Sequence, residues 1–145
     1  MRHLGGKYGL VAKDEKSLAR QDMVEQQLND LRMQHFVSVI VSPDFEKAKS
    51  EFIETKLPEQ LELLSKFLGE HEWFAGNQLT YVDFLAYETL DWLRQFSPGC
   101  LSDFPNLSQL MDKFEKIPQI AAYRKSSDYK DWPILGPIYP WGFFK

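Results

Sequence analysis

Thr80 and Asp83 pair a hydroxyl with a carboxylate at a spacing that commits both to one task. Such a pair could move a proton, or it could close the N-terminus of a helix. Thr-x-x-Asp is the spacing of a capping box: the hydroxyl accepts from the Asp83 N–H, and the carboxylate reaches back to the Thr80 N–H. Leu79 and Phe84 flank the box at the staple positions, and the helix dipole favours an anion there. Asp83 therefore reads as a structural acid and not a catalytic one. His3, His35 and His71 stand far apart, without Cys or carboxylate partners at metal-ligand spacing, and read as surface or core residues. Cys100 has no basic neighbour in sequence to activate it. Gly5-Gly6-Lys7-Tyr8-Gly9 is too short for a phosphate cradle and follows no strand. With no Ser-His-Asp signature either, the chain presents no self-contained catalytic constellation and no metal site.

The elements around these residues read as helices. The capping box starts a helix at Tyr81, running to about Phe96. Its apolar residues Val82, Phe84, Leu85, Leu90 and Leu93 make it a buried central helix. Asp14 is an N-cap, and a long helix is expected from it to about Val41, with Leu28, Leu31, His35 and Val39 as one stripe. The β-branched end of that segment could also be a strand; the helical pattern before it favours helix. Ser42-Pro43-Asp44 breaks the chain and starts a new helix, which Pro58 interrupts or kinks before it continues to Gly69. Ser97-Pro98-Gly99 is a turn, followed by a short helix from about Asn106 to Lys116 and another from Pro118 to near Ser127. Residues 1–10 read as the last turns of a helix ending at Gly9. The tail, 128–145, is rich in proline and in aromatics, the Phe143-Phe144 pair among them; it is irregular and expected to pack back on the bundle. The fold class is all-α, a bundle of five to six helices.

Length and composition suit one domain of 145 residues. A net charge of −4 with no basic stripe argues against a nucleic-acid partner. A single cysteine forbids an intrachain disulfide and fits a reducing compartment. Apolar runs fall far short of the ~20 residues needed to span a bilayer, and the start has no apolar signal region. A cytoplasmic protein is expected.

The run Trp73-Phe74-Ala75-Gly76-Asn77-Gln78-Leu79-Thr80-Tyr81-Val82-Asp83-Phe84-Leu85-Ala86-Tyr87 resembles the signature of the helical C-terminal domain of glutathione transferases. Pro58-Glu59-Gln60-Leu61 and Ser65-Lys66-Phe67-Leu68-Gly69 extend the match before it. Phe104-Pro105-Asn106-Leu107, Ala122-Tyr123, Lys125-Ser126-Ser127 and Trp141-Gly142 extend it after. Together these resemble the mu class over nearly the whole chain. The resemblance makes residues 1–10 the remnant of the last helix and linker of a thioredoxin-like domain, and 11–145 the helical domain. The rest of the thioredoxin-like domain has no counterpart here, so the sequence resembles a truncated form.

The reaction implied by that resemblance is attack of the glutathione thiolate on a small apolar electrophile, as in detoxification. Glutathione is then a co-substrate, and no cofactor is expected. The thiol-activating tyrosine and most of the tripeptide site belong to the other domain, so no catalytic residue is assigned in this chain and little turnover is expected from it alone. What carries over is Asp30, matching the aspartate that reaches across a homodimer to the glutathione amino group. Arg32, Met33 and Phe36 match the wall of the electrophile pocket; so do Leu135 and Gly136, counted back from Trp141-Gly142. Read without the resemblance, Asp30 is a solvated acid, and Met33 and Phe36 are core. One departure stands out. Many mu enzymes carry a tyrosine just before the Pro43-like position; here that place falls on Ile40 or Val41, because of one extra residue locally, and the hydroxyl is gone. A non-catalytic interaction or ligand-holding module is the alternative.

Overall fold

The computed structural model describes residues 1–143; Phe144 and Lys145, at the end of the expected tail, lie outside the described residues. Seven α-helices are present: α1 (Arg2–Lys7), α2 (Glu15–His35), α3 (Phe45–Glu51), α4 (Leu57–Leu68), α5 (Tyr81–Phe96), α6 (Pro105–Glu115) and α7 (Pro118–Arg124). A π turn, Phe36–Ile40, continues α2, and a second, Phe52–Lys56, joins α3 to α4. Counted as continuous rods, these make six helical pieces, an all-α bundle as expected. Among the described residues the one strand-like pairing is the isolated Trp73–Gly76 bridge.

Asp14 caps α2 by accepting the Ser17 N–H at 2.9 Å, and Asp44 caps α3 through the Lys47 N–H at 3.2 Å. Leu28, Leu31, His35 and Val39 are all buried, so the predicted stripe is the inner face of α2 and its π turn. It meets α5, whose Val82, Leu85, Ala86, Leu90 and Leu93 are buried, along with Leu57, Leu61, Leu64 and Leu68 of α4. Burying each such leucine stabilises by about 1.5–3 kcal/mol against leaving it in water.

The long helix expected to about Val41 is interrupted in geometry but not in direction. The Val41 N–H bonds to the Phe36 carbonyl five residues back, at 3.1 Å. A widened turn of this kind accommodates one more residue without ending the helix. The Leu57 N–H likewise bonds to the Phe52 carbonyl. Pro58, expected to interrupt or kink its helix, lies in the first turn of α4, directly after this wide turn. A proline ring would meet the carbonyl four residues back, that of Glu54, in a regular α-helix; the wide turn relieves that clash.

Helix α1 docks by close approach. A Cβ on Gly5 would stand 2.7 Å from Tyr81 Cδ1, so only glycine lets the backbone lie on that ring. Arg2 Nε donates to Glu25 Oε2 at 2.7 Å, and Tyr81 Oη donates to the same oxygen at 2.7 Å. The linker is fixed by the Tyr81 N–H donating to the Leu10 carbonyl at 2.9 Å.

Candidate functional site

The capping box at the start of α5 is present, and Asp83 does more than the spacing suggested. Its Oδ2 accepts the Thr80 N–H at 2.8 Å and the Thr80 hydroxyl at 3.1 Å. Its Oδ1 accepts the Phe74 N–H at 2.9 Å, tying the preceding loop to the helix. Burial pushes this carboxyl up to about 6, against the pull of its three donors. With all its donors intramolecular, the group holds structure together and faces no open site.

The predicted wall residues fall on two elements. Arg32 and Phe36 are four residues apart on α2 and its π turn, and so share a side. The Arg32 guanidinium lies over the Trp92 ring, 5.8 Å from its centroid. Trp92 stacks on Trp141 of the tail at 6.2 Å, and Phe36 meets Tyr139 of the tail edge to face at 5.4 Å. Leu135 and Gly136 belong to the same tail loop. The Ile134 and Leu135 N–H groups both donate to the Gly142 carbonyl, at 2.6 and 3.0 Å, and the Tyr139 N–H donates to the Gly136 carbonyl at 3.2 Å. Gly142 has φ of 94°, and a Cβ there would lie 3.0 Å from Leu135 Cβ, so the loop closes only on glycine. The tail thus packs back on the bundle as expected, and the rings that connect Arg32 and Phe36 to the loop of Leu135 and Gly136 are Trp92, Tyr139 and Trp141, of which the motifs named only Trp141.

Met33 is 62% exposed and Val41 46% exposed. Neither is core: Met33 is exposed on α2, and Val41 is exposed just after the π turn. Ile40 is 1% exposed, so of the two candidates for the lost hydroxyl position it is Val41 that faces outward. Asp30 is exposed and accepts from Gln26 Nε2 at 2.7 Å, with no contact to the wall.

His35 sits beneath this surface, 2% exposed, its ring against Phe52, Phe96 and Trp92 at 4.8, 4.4 and 5.6 Å. Its Nε2 has no hydrogen-bond partner among the described residues, and burial pulls its pKa down to about 4, so it is a neutral core residue. Burial also raises the Cys100 thiol to about 11, which makes it a poor nucleophile. A polar cluster unmarked by any sequence motif joins α5 to α6 and α7. There Tyr87 Oη donates to Glu115 Oε1 at 2.7 Å, and Arg124 bonds both Tyr87 and Tyr129. Tyr87, Tyr129 and Arg124 border an apolar cavity of about 320 Å³ lined also by Met1, Arg32, Phe84, Leu85 and Tyr123 among others. Of the predicted wall, that cavity takes only Arg32.

This arrangement has close counterparts. The family described as the glutathione S-transferase C-terminal domain matches residues 29–127. Glutathione S-transferase Mu 3 of Mus musculus is 46% identical over 98% of this chain and 64% of its own length. Glutathione S-transferase Mu 1 of Oryctolagus cuniculus is 48% identical over 93% of this chain and 61% of its own length. The solved structure of the glutathione S-transferase Blo t 8 superposes with a TM-score of 0.87 at 32% identity, over 97% of this chain and 67% of that one. A pi-class enzyme of Onchocerca volvulus gives a TM-score of 0.82 at 26% identity, over 93% of this chain and 66% of that one. The chain belongs to the glutathione S-transferases, and within them to the mu class. It spans about 64% of the length of the Mus musculus relative.

Proposed function

We propose that this chain is the helical half of a mu-type transferase that joins glutathione to small apolar electrophiles. The observation that carries the reading is mu-class identity of 46% over 98% of the chain. In this reading Arg32, Met33, Phe36, Val41, Leu135 and Gly136 bound the electrophile. Asp30 offers its carboxylate to the glutathione ammonium of a partner subunit, a charge-assisted pairing that its exposure permits. A preceding domain, like that implied by the greater length of the relatives, supplies the thiolate-stabilising group. The apolar cavity beside Met1 and the exposed Met1, Leu4 and Tyr8 on α1 offer that domain a surface to cover. The homodimer belongs to the same proposal. Exposed Met23 and Leu63 flank a small cavity of about 160 Å³ between α2 and α4, a receiving surface for the partner. So does a cytoplasmic setting; among the described residues no helix is long and apolar enough to cross a membrane.

The test is conjugation of glutathione to a chloronitrobenzene. The chain alone is expected to stay at the uncatalysed rate. Joined to a mu-class preceding domain it is expected to turn over, and Asp30→Asn should then raise KM for glutathione with little effect on stability. A folded, joined protein without glutathione-dependent conjugation would refute the reading, and an unchanged KM would remove Asp30 from it.

A further inference from the structure

The place where a tyrosine hydroxyl is expected from the resemblance holds Val41, which has none. The structure puts another hydroxyl-bearing ring against Phe36, a residue of the same proposed wall. Tyr139 stands on the tail loop, its ring edge to face with Phe36 at 5.4 Å and 72°. Its backbone is held by the turn to Gly136, and the loop is anchored at the other end by Trp141. That ring lies 5.1 Å from Phe96 and 6.2 Å from Trp92. Tyr139 is half-buried, so its position is fixed by packing while its tip remains reachable.

The other five tyrosines are accounted for. Tyr81 donates to Glu25, Tyr87 to Glu115, and Tyr129 accepts from Arg124. Tyr8 is exposed just after α1, and Tyr123 is exposed on α7, where its ring meets Tyr129 beside the cavity that also takes Arg32. Tyr139 alone combines a fixed ring, a place beside Phe36 on the loop that carries Gly136, and a hydroxyl that donates to no protein group among the described residues. An apolar wall with one uncommitted donor is the composition of a site that orients a ligand by a single hydrogen bond.

We propose that Tyr139 is a specificity-determining residue of the electrophile site, donating its hydroxyl to a carbonyl, nitro or epoxide oxygen of an apolar ligand seated on Phe36 and Leu135. This rests on the reading of those residues as the electrophile wall. A neutral donor of this kind discriminates ligands that carry the oxygen from those that lack it by about three- to tenfold.

The experiment compares two probes on this chain by ligand-observed and protein-observed NMR titration. One is benzylideneacetone, an aryl enone; the other is phenylbutene, a hydrocarbon of similar shape. Tyr139→Phe keeps the ring on Phe36 and removes only the hydroxyl. It should weaken the enone three- to tenfold and leave the hydrocarbon unchanged, while Phe36→Ala should weaken both. Equal affinities of parent and Tyr139→Phe for the enone would overturn the proposal and leave the wall standing. So would equal loss of both probes in Tyr139→Phe, which would reduce Tyr139 to a packing residue. If neither probe binds the parent or perturbs Phe36 and Leu135, the wall reading fails, and the role of Tyr139 fails with it.

Discussion

The start of α5 and the tail are both packed against the bundle, but by different means. At α5 one buried carboxylate gathers three donors from within ten residues of sequence: the Phe74 N–H, the Thr80 N–H and the Thr80 hydroxyl. In the tail, position is set by rings. Trp141 touches Trp92, Phe96 and Trp132, and Tyr139 touches Phe36. Directional bonds between near neighbours are satisfied in only one arrangement. Ring contacts are spread over distant helices, and each is worth about 0.5–1.5 kcal/mol beyond its buried area. The first kind of region is a fixed part of the folding unit. In the second, the loop rests on contacts that can be removed one ring at a time, and a local response is expected there.

The largest expected effect breaks the first region. Asp83→Ala removes the acceptor of three donors in a buried place and leaves those donors orphaned, at a cost of about 2–4 kcal/mol in global stability. Thr80→Ala should cost less, about 0.5–2 kcal/mol, because the carboxylate and both backbone donors remain. Urea unfolding of the purified variants measures both. A midpoint for Asp83→Ala within error of the parent would show that the cap does not hold the unit together.

Next in size is a contrast between adjacent glycines of α1. Both lie in a helix, where alanine is ordinarily better by ~0.5–1 kcal/mol. Gly6 has nothing within 4 Å of an added Cβ, and Gly6→Ala should stabilise slightly. At Gly5 the added atom would lie 2.7 Å from Tyr81 Cδ1, at the edge of the α5 cap, and Gly5→Ala should cost about 1–3 kcal/mol. If both variants shift the midpoint the same way, α1 is not packed on α5 as described.

The tail supplies the smaller mechanical effect. Trp141→Ala should lower global stability by about 1–2 kcal/mol, below the ~3–5 kcal/mol of a fully buried tryptophan. Its main effect should be local. Amide exchange should accelerate at Ile134 and Leu135, whose N–H groups share the Gly142 carbonyl, and stay unchanged at Phe74 and Thr80. Acceleration spread equally over both regions would erase the distinction between them.

The same contrast explains what was legible in the sequence. Asp14, Thr80 with Asp83, and Gly69 were legible because a cap is a contact between neighbours along the chain, and Ser42-Pro43-Asp44 was legible as a helix start though not Asp44 as its cap. The stripe Leu28, Leu31, His35, Val39 was legible because its face is set by helical period alone. The two π turns were not, since a turn that takes five residues leaves no mark in a pattern read at three and four. Nor were the docking of Gly5 on Tyr81 or the tail's contacts, which join residues far apart in sequence. For the site, the resemblance named Phe36, Leu135 and Gly136 as wall positions, but Tyr139, whose ring meets Phe36 and whose N–H bonds Gly136, belongs to no motif and is visible only once the tail is folded back.

The smallest expected effect is a near-cancellation between the cap and the floor of the wall. Asp83 has its pKa raised from 3.8 to about 6 by burial, so the folded state holds that proton more tightly than the unfolded chain. Its contribution is present below pH 3.8 and lost as pH rises through about 6, by about 3 kcal/mol. His35 runs the other way. Burial lowers it from 6.5 to about 4, so its contribution is present above pH 6.5 and lost as pH falls through about 4, again by about 3 kcal/mol. Over the shared window the two slopes oppose each other, and together they should move the parent's stability by less than about 1 kcal/mol. Either substitution should unmask the other slope. Asp83→Asn should lose stability steadily on acidification through the window, because only the buried imidazole then responds. His35→Leu should gain stability over the same interval, because only the buried carboxyl does. Urea midpoints across that pH range decide the matter. Profiles of the two variants that run parallel to the parent's would mean that neither burial holds its group away from its ordinary pKa. If only one variant diverged, the failure would be placed in the region whose variant left the slope unchanged.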